Sequence, residues 1–534
     1  MSHAAPRGAA APQRKGRTPS MASTHRPRAS RLKFASLPLA AAYMPAAVAI
    51  AFAACGDEFT ARPPDASTSS STGGGSGGSG GSGGGCPGGG MLCGDACVDP
   101  MTDAQHCGAC DVDCPTFGGE PTCQDGVCQS PACEENRGDC DKDPENACEV
   151  DLLTSTAHCG SCDKPCGGQC VRGACVAPTH IAAGTDYTCA VLSDGSVWCW
   201  GRNTWGNLGD GTLQQDRPLP RPVMGLSGAA RVAASISSGR AHTCAVLADG
   251  AVACWGAGNS GQLGDGEATN SPSPVRAKEL AGATQVAVGG THTCAVTASH
   301  ELYCWGEGSS GQLGYGDEVD RIEPTVMLDG VDSVSAGLSH TCAGMIERMG
   351  ERTMNCWGHN ESGQLGLGNF NQQNTPQPVP GLTSVAITAA GALHTCAAPA
   401  RGVASCWGKG EQFRLGTGVV NPEANPRKIP DLVDVTRISL GARHSGAVLA
   451  GGEVLLWGDN AKGQLGNGTQ DPVLLPESIG LTDVIELALG DDHSCALKRT
   501  GEMLCWGDNR NGELGDGTVE PRLVPTRVAW PAQP

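Results

Sequence analysis

The chain has 534 residues, 17% charged and 4% aromatic, with 79 glycines and 29 cysteines. Its formal charge is −19, but residues 1–54 carry eight Lys/Arg and no carboxylate, which leaves the remainder at −27. A body this acidic is a poor binder of nucleic-acid phosphates, a composition this rich in glycine points to turn-rich β structure, and this many cysteines do not suit a reducing cytosol.

In chain order, the first segment reads as an export signal over 1–54. Arg26, Arg28, Arg31 and Lys33 precede an apolar run over 37–54. A basic stretch followed by such a run is a secretory pattern, and the run is too interrupted to be a transmembrane helix. Its end, Phe52-Ala53-Ala54-Cys55, resembles a bacterial lipobox, although Phe52 stands where leucine is usual. Cys55 is therefore expected to be lipidated and to become the mature N-terminus. The alternative is ordinary cleavage after Ala53, and Met21 is an alternative start. Residues 55–85 form a Gly/Ser-rich linker, of which 60–85 spans roughly 28 Å, enough to hold a folded part off a membrane.

Residues 86–175 hold 16 cysteines in two echoing halves of eight, split at residue 130. With few large apolar residues, this region has no core to stabilise it, so disulfides must. Which cysteine joins which is not readable. The halves share a Cys-x-x-Asp or Cys-Glu-x-Asp followed by His-Cys-Gly-x-Cys (106–110 and 158–162). They resemble the stigma-specific protein family, which implies an extracellular module and no activity. The Cys-x-x-Cys spacings also admit redox or zinc chemistry, and the carboxylates of 139–151 admit calcium, without the EF-hand spacing.

From residue 176 to the end one motif recurs seven times, its Trp-Gly falling at Trp200, Trp255, Trp305, Trp357, Trp407, Trp457 and Trp506. A period near 50 residues indicates a solenoid, an array or a propeller. Each unit reads as an apolar run ending in glycine, His-Thr-Cys-Ala-Val, a short turn, x-Val-x-Cys-Trp-Gly, a glycine-rich loop and a Pro-Val stretch. Four short strands per unit make a blade, and seven blades close a ring without exposed sheet edges. The ends of the region, 179–184 and 524–530, are expected to pair in one blade and lock that ring. The fold class is thus all-β: a seven-bladed propeller after a disulfide-rich, loop-rich region.

Counted outward from the hairpin centre at Asp194, Cys189 falls opposite Cys199, within disulfide reach. The same count pairs Cys244 with Cys254, Cys294 with Cys304, Cys342 with Cys356, Cys396 with Cys406, and Cys495 with Cys505. In the sixth unit both cysteines are lost together, to Gly446 and Leu456. The recurring His242, His292, His340, His394, His444 and His493, replaced by Tyr187 in the first unit, suit a repeated hydrogen bond better than a metal ring or catalysis. The glycine-rich loop lacks the following helix and Lys-Ser/Thr of a phosphate cradle. In the fifth unit Phe413 replaces a loop glycine, which should distort that loop.

The pattern over 336–368, with AGLSHTCAGM and CWGHNESGQLGLG, resembles the regulator of chromosome condensation family. The resemblance covers about 350 residues and implies a seven-bladed propeller. Three functions are compatible with it. One is a surface-tethered binding scaffold for an envelope or extracellular protein or glycan, held to the membrane by its N-terminal lipid only. Another is guanine nucleotide exchange, as the family name implies, against which stand the export signal and stapled blades. The third is a propeller enzyme acting on cell-surface polymers. No unit is seen to depart from the repeat so as to form a carboxylate pair or a nucleophile–base set, so no catalytic residue, metal or cofactor is assigned. The first reading is preferred, with location in a bacterial envelope.

Overall fold

Period-2 alternation on either side of a tight turn makes neighbouring segments of each unit antiparallel partners. In the computed structural model, which describes residues 86, 89–114, 121–129, 133, 136–141, 148–236, 239–347 and 350–531, blade 1 consists of Pro178–Ala183, Tyr187–Leu192, Val197–Gly201 and Arg217–Pro222. Six further four-stranded antiparallel sheets follow, each in sequence order, with inner strands Ala229–Ala234, Ala283–Val288, Val331–Ala336, Val385–Ala390, Val435–Leu440 and Val484–Leu489. Neighbouring inner strands lie side by side around an axis, and Val484–Leu489 returns to Pro178–Ala183. The expected signal, Cys55 and the linker lie outside the described residues.

The ring does not close by sharing a blade. Pro178–Ala183 pairs only with Tyr187–Leu192, and Arg522–Arg527 only with Met503–Gly507. The expected pairing of the two ends is therefore corrected: every blade is contiguous in sequence, and closure is left to side-chain packing between blades 7 and 1. There Ile181, Trp200, Leu497, Met503, Leu514 and Val528 form one apolar cluster. Trp530 caps it, with its ring edge-on to Trp198 and Trp200 at centroid distances of 6.3 and 5.7 Å.

The hairpin register places Cys189 opposite Cys199, and the equivalent cysteines face each other in five other blades. All six pairs are bonded, with Cα atoms 4.1–4.2 Å apart. In blade 6 Gly446 faces Leu456, which is 1% exposed. A Cβ on Gly446 would lie 2.6 Å from Leu456 Cδ2, so leucine fills the volume the two sulfurs occupy elsewhere.

Each half of the cysteine-rich region has the same connectivity. In order along a half, the first cysteine joins the third, the second the fifth, the fourth the seventh and the sixth the eighth. The shared motif residues have matching local tasks. His106 Nδ1 accepts the Asp111 N–H and His158 Nδ1 the Asp163 N–H. Asp99 and Asp151 each close a turn by accepting a backbone N–H two residues on and a threonine hydroxyl three residues on. The second module ends with the strand Ala174–Val176, one residue beyond the expected boundary, and rests on the hairpin turn of blade 7: a Cβ on Gly167 would lie 2.4 Å from the Gly501 carbonyl carbon.

Candidate functional site

The repeated residues build a latch between consecutive blades. In blade 3, Thr293 Oγ1 donates to the Gln262 carbonyl of blade 2 at 2.9 Å, and Trp305 Nε1 donates to the same carbonyl at 3.0 Å. His242 Nε2 of blade 2 meets Thr293 Oγ1 at 2.9 Å. The hydroxyl proton is spent on the carbonyl, so the histidine must donate and its proton sits on Nε2. The arrangement repeats around the circle. At the closing seam Thr188 and Trp200 both donate to the Glu513 carbonyl, at 2.8 and 3.0 Å, and His493 Nε2 meets Thr188 Oγ1 at 2.9 Å. Tyr187 replaces the histidine in blade 1 by lying 3.0 Å from Thr243 Oγ1 and donating to the His242 carbonyl at 2.7 Å.

Two glycines of the motif are dictated by this packing. Gly264 (φ +74°) lies under the next blade's indole, where a Cβ would fall 2.7 Å from Trp305 Nε1. Gly289 lies under its own blade's imidazole, a Cβ being only 2.2 Å from His292 Cε1. The histidine rings are fully buried, and desolvation pushes them from 6.5 to about 3 for His242, His340 and His444 and about 4 for His292 and His493. They are neutral, structural groups. The glycine-rich loop likewise offers a carbonyl to its neighbour and spends its N–H groups within the loop and on the next blade, as Gly264 N does on Gly261 O and Gly266 N on the Ile322 carbonyl. In the fifth unit the loop distorts locally, as expected: Gln412 and Phe413 take φ +58° and +63° in a 3-10 turn over Glu411–Phe413, and the repeat's path is regained where Gly416 N bonds the Phe413 carbonyl at 3.0 Å.

One face of the ring carries the turns before these histidines and the long Trp-Gly loops, and on it the seam between blades 7 and 1 departs from the repeat. Asp491 and Asp492 precede His493, Asp186 precedes Tyr187, Asp508 follows the Trp506-Gly507 pair, and Glu513 takes the loop position held by Gln262, Gln312, Gln364 and Gln464. This corrects the expectation that no unit departs in its carboxylates. The signal was legible as the only Asp-Asp-His and Gly-Glu-Leu among the seven units. Asp186 pairs with Arg202 at 3.0 Å, Asp492 with Arg443 at 3.5 Å, and Asp508 with Arg510 Nε at 2.6 Å. Asp491 Oδ1 is buried without a partner, as is the Thr185 hydroxyl beside it. Burial, with Asp186 and Asp492 nearby, pushes Asp491 up to about 8. Desolvation pushes Glu513 to about 7 while its Oε2 accepts the Asn511 N–H, the bond that Gln262 makes to Ser260. On the other side of Asp186, between blades 1 and 2, a small cleft is lined by Thr185, Asp186, Arg202, Thr204, Trp205 and Ala241. The rim at blades 7 and 1 thus gathers carboxyls held high by burial, with Asp491 Oδ1 still unpaired, and a cation brought against Asp491 would favour its ionised form.

The remaining candidates have other tasks. Within Cys-Gly-Ala-Cys, Cys107 bonds Cys123 and Cys110 bonds Cys93; the second copy divides the same way. Neither motif is a redox pair or a zinc half-site. Oxygens of Asp139, Asp141 and Glu149 lie within 4.8 Å of one another in an open turn, and Glu149 accepts the Cys140 N–H.

At the opposite mouth of the axial channel the sheet register aligns one residue per blade: His180, Arg231 and Gln285 in blades 1–3, Ser333 and Ile387 in blades 4 and 5, and Arg437 and Glu486 in blades 6 and 7. Gln285 reaches to the next inner strand, donating to the Val334 carbonyl and accepting its N–H at 3.1 and 3.2 Å. Glu486 occupies the same place at the closing seam, accepting Ile181 N–H at 3.0 Å and meeting His180 Nε2 at 3.2 Å. Burial raises Glu486 to about 7 and lowers His180 to about 4.

Comparison with known proteins supports this geometry. The RCC1-like domain profile matches residues 169–435, and the regulator of chromosome condensation (RCC1) repeat matches 451–497 and 500–533. The chain is 32% identical to the ultraviolet-B receptor UVR8 of Arabidopsis thaliana over 220 residues, 41% of this chain and 38% of that protein. It is 37% identical to human E3 ubiquitin-protein ligase HERC2 over 101 residues, 19% of this chain and 2% of that one. It therefore spans well under two thirds of these relatives. Among solved structures, human WBSCR16 superposes with a TM-score of 0.55 at 23% identity, covering 63% of this chain and 94% of that one. Prp20p of Saccharomyces cerevisiae, whose structure was described with its binding properties to Gsp1p and histones, gives 0.54 at 21% identity, covering 66% and 87%. Both show the fold.

Proposed function

Since the chain belongs to the regulator of chromosome condensation (RCC1) repeat family, whose RCC1-like domain matches half of it, we propose that its propeller is a binding scaffold. Its loop face, centred on the seam between blades 7 and 1, receives a basic side chain of a protein partner. The observation that carries the reading is the concentration of Asp186, Asp491, Asp492 and Glu513 at one seam of an otherwise regular ring, with Asp491 Oδ1 buried and unpaired. Loops on a rigid scaffold commonly carry recognition, and UVR8, HERC2 and Prp20p share the repeat or the fold with different attached functions.

We place the protein outside the cytoplasm, lipidated at Cys55 and held off a bacterial envelope by the linker. Fourteen disulfides, using all 28 described cysteines, support an oxidising compartment. Metabolic labelling with a palmitate analogue tests the anchor, and absence of label from the wild-type chain overturns it. For the binding face, the intact protein is crosslinked to envelope extracts beside a glycan array, with the triple variant Asp186→Asn, Asp491→Asn, Asp492→Asn in parallel. A basic protein captured by the wild type and lost with the variant is expected, with capture strengthening from pH 6 to 8 as Asp491 ionises. Capture indifferent to the variant, or binding confined to glycans, sinks the loop-face reading.

A further inference from the structure

The mouth of the axial channel opposite the loop face carries an uncompensated positive arc. Around the ring, Arg437, Glu486, His180 and Arg231 are consecutive, one per blade, at the same register position. On this acidic chain ten described arginines hold a carboxylate within 4.0 Å. Arg231 and Arg437 hold none, although both are exposed. The one carboxylate in the arc is already engaged: Glu486 turns into the seam, taking the Ile181 N–H and facing His180 Nε2 at 3.2 Å. Both guanidinium groups act on His180 and Glu486 electrostatically, and the register sets all four at one level of the channel. His180 Nδ1 is buried there without a partner.

The floor of the mouth is edge-strand backbone. Each inner strand is the edge of its sheet, so its axial backbone groups lack a ladder partner. Side chains satisfy some of them, as Gln285 and Glu486 do, and the rest border the channel. Planar guanidinium forks on blades 2 and 6, on opposite sides of the mouth, match a polyatomic oxyanion, which each arginine can engage through two N–H groups, Arg437 keeping one on the Thr436 carbonyl at 2.9 Å.

We propose that this mouth, between Arg231 and Arg437 and over His180, binds an oxyanion group, a carboxylate, sulfate or phosphate, presented on the face opposite the loop seam. The site is independent of the protein-binding reading, since it lies at the other end of the channel and uses none of Asp186, Asp491, Asp492 and Glu513.

Calorimetric titration of the full chain with sulfate, inorganic phosphate and citrate, each at ionic strength matched with sodium chloride, tests it and separates the three oxyanion types. Saturable binding of one equivalent of at least one anion is expected. Arg231→Gln or Arg437→Gln should weaken it at least tenfold, the double variant should abolish it, and Arg437→Lys should retain part. Arg401→Gln, on an exposed hairpin of blade 5, should leave affinity unchanged. The substituted side chains are exposed, and unfolding midpoints without anion verify that each variant folds. No saturable binding of any of the three anions, or equal binding by the double variant, overturns the proposal.

Discussion

At the level of single residues, the molecule shows how one polar atom ties several repeats together. A threonine hydroxyl that donates to a carbonyl and accepts from a histidine leaves no freedom in that histidine's tautomer. Thr293→Val would orphan the His242 Nε2–H and remove one of two donors from the Gln262 carbonyl. A loss of about 2–3 kcal/mol of stability is expected, since a buried donor without partner costs roughly 1–3 kcal/mol beyond the bond itself; urea unfolding measures it. Gly446 and Leu456 offer the converse experiment, since these facing positions alone lack the cross-strand disulfide. The double variant Gly446→Cys, Leu456→Cys should close a seventh blade disulfide. The oxidised form should then exceed its own reduced form by about 2–3 kcal/mol in the chain-entropy model. Mass spectrometry without reductant and paired denaturation curves check both parts.

Among elements, the seam between blades is the unit of cohesion, because inner strands of neighbouring blades share no ladder. Each seam has its own apolar cluster, with a tryptophan that is 0% exposed at its centre. The latch crosses the same surface. The closing seam is not weaker for lacking a shared strand, because it repeats the latch and adds Trp530 and the Glu486–Ile181 bond. Glu486 stands where Gln285 stands at another seam, so Glu486→Gln should keep the bond without the proton dependence. Thermal melts of this variant should converge with the wild type as pH falls toward 4, where Glu486 is protonated folded or unfolded, and exceed it at pH 8.5, and a deficit at pH 8.5 would show that the carboxylate is needed ionised.

For the molecule as a whole, buried titratable groups set a pH window. The histidines fall from 6.5 to about 3–4 on folding, with His394 also lowered. Below pH 6.5 the unfolded chain takes up protons that the folded ring refuses, so stability declines as pH falls toward 4. Glu486 and Glu513, at about 7, and Asp491, at about 8, act oppositely. They keep protons in the folded state that the unfolded chain releases, so stability declines as pH rises through 7 to 8. Between pH 4.5 and 6.5 the histidines outnumber these carboxyls, and the optimum is expected near pH 6.5–7. Urea midpoints from pH 4 to 9 should trace this maximum with the steeper flank on the acid side; a flat profile below pH 6.5 would contradict buried neutral histidines.

Whatever depends on neighbours within one repeat could be read from the residues alone. The seven-fold period, the four strands and the Cys244–Cys254 register follow from alternation about a short turn, which needs no knowledge of the rest of the chain. The equal count of eight cysteines per half was equally legible, but their pairing was not, since several partners lie within reach of each loop. That the histidine, threonine and tryptophan bond across seams, and that the ends close without sharing a blade, came from packing in three dimensions. The same packing brings Thr188 onto His493, and Asp186 within electrostatic range of Asp491, from opposite ends of the propeller. These contacts join positions about 50 or about 300 residues apart. A repeat pattern says which residues are equivalent, but which face of one blade meets which face of the next is fixed by packing around the closed circle.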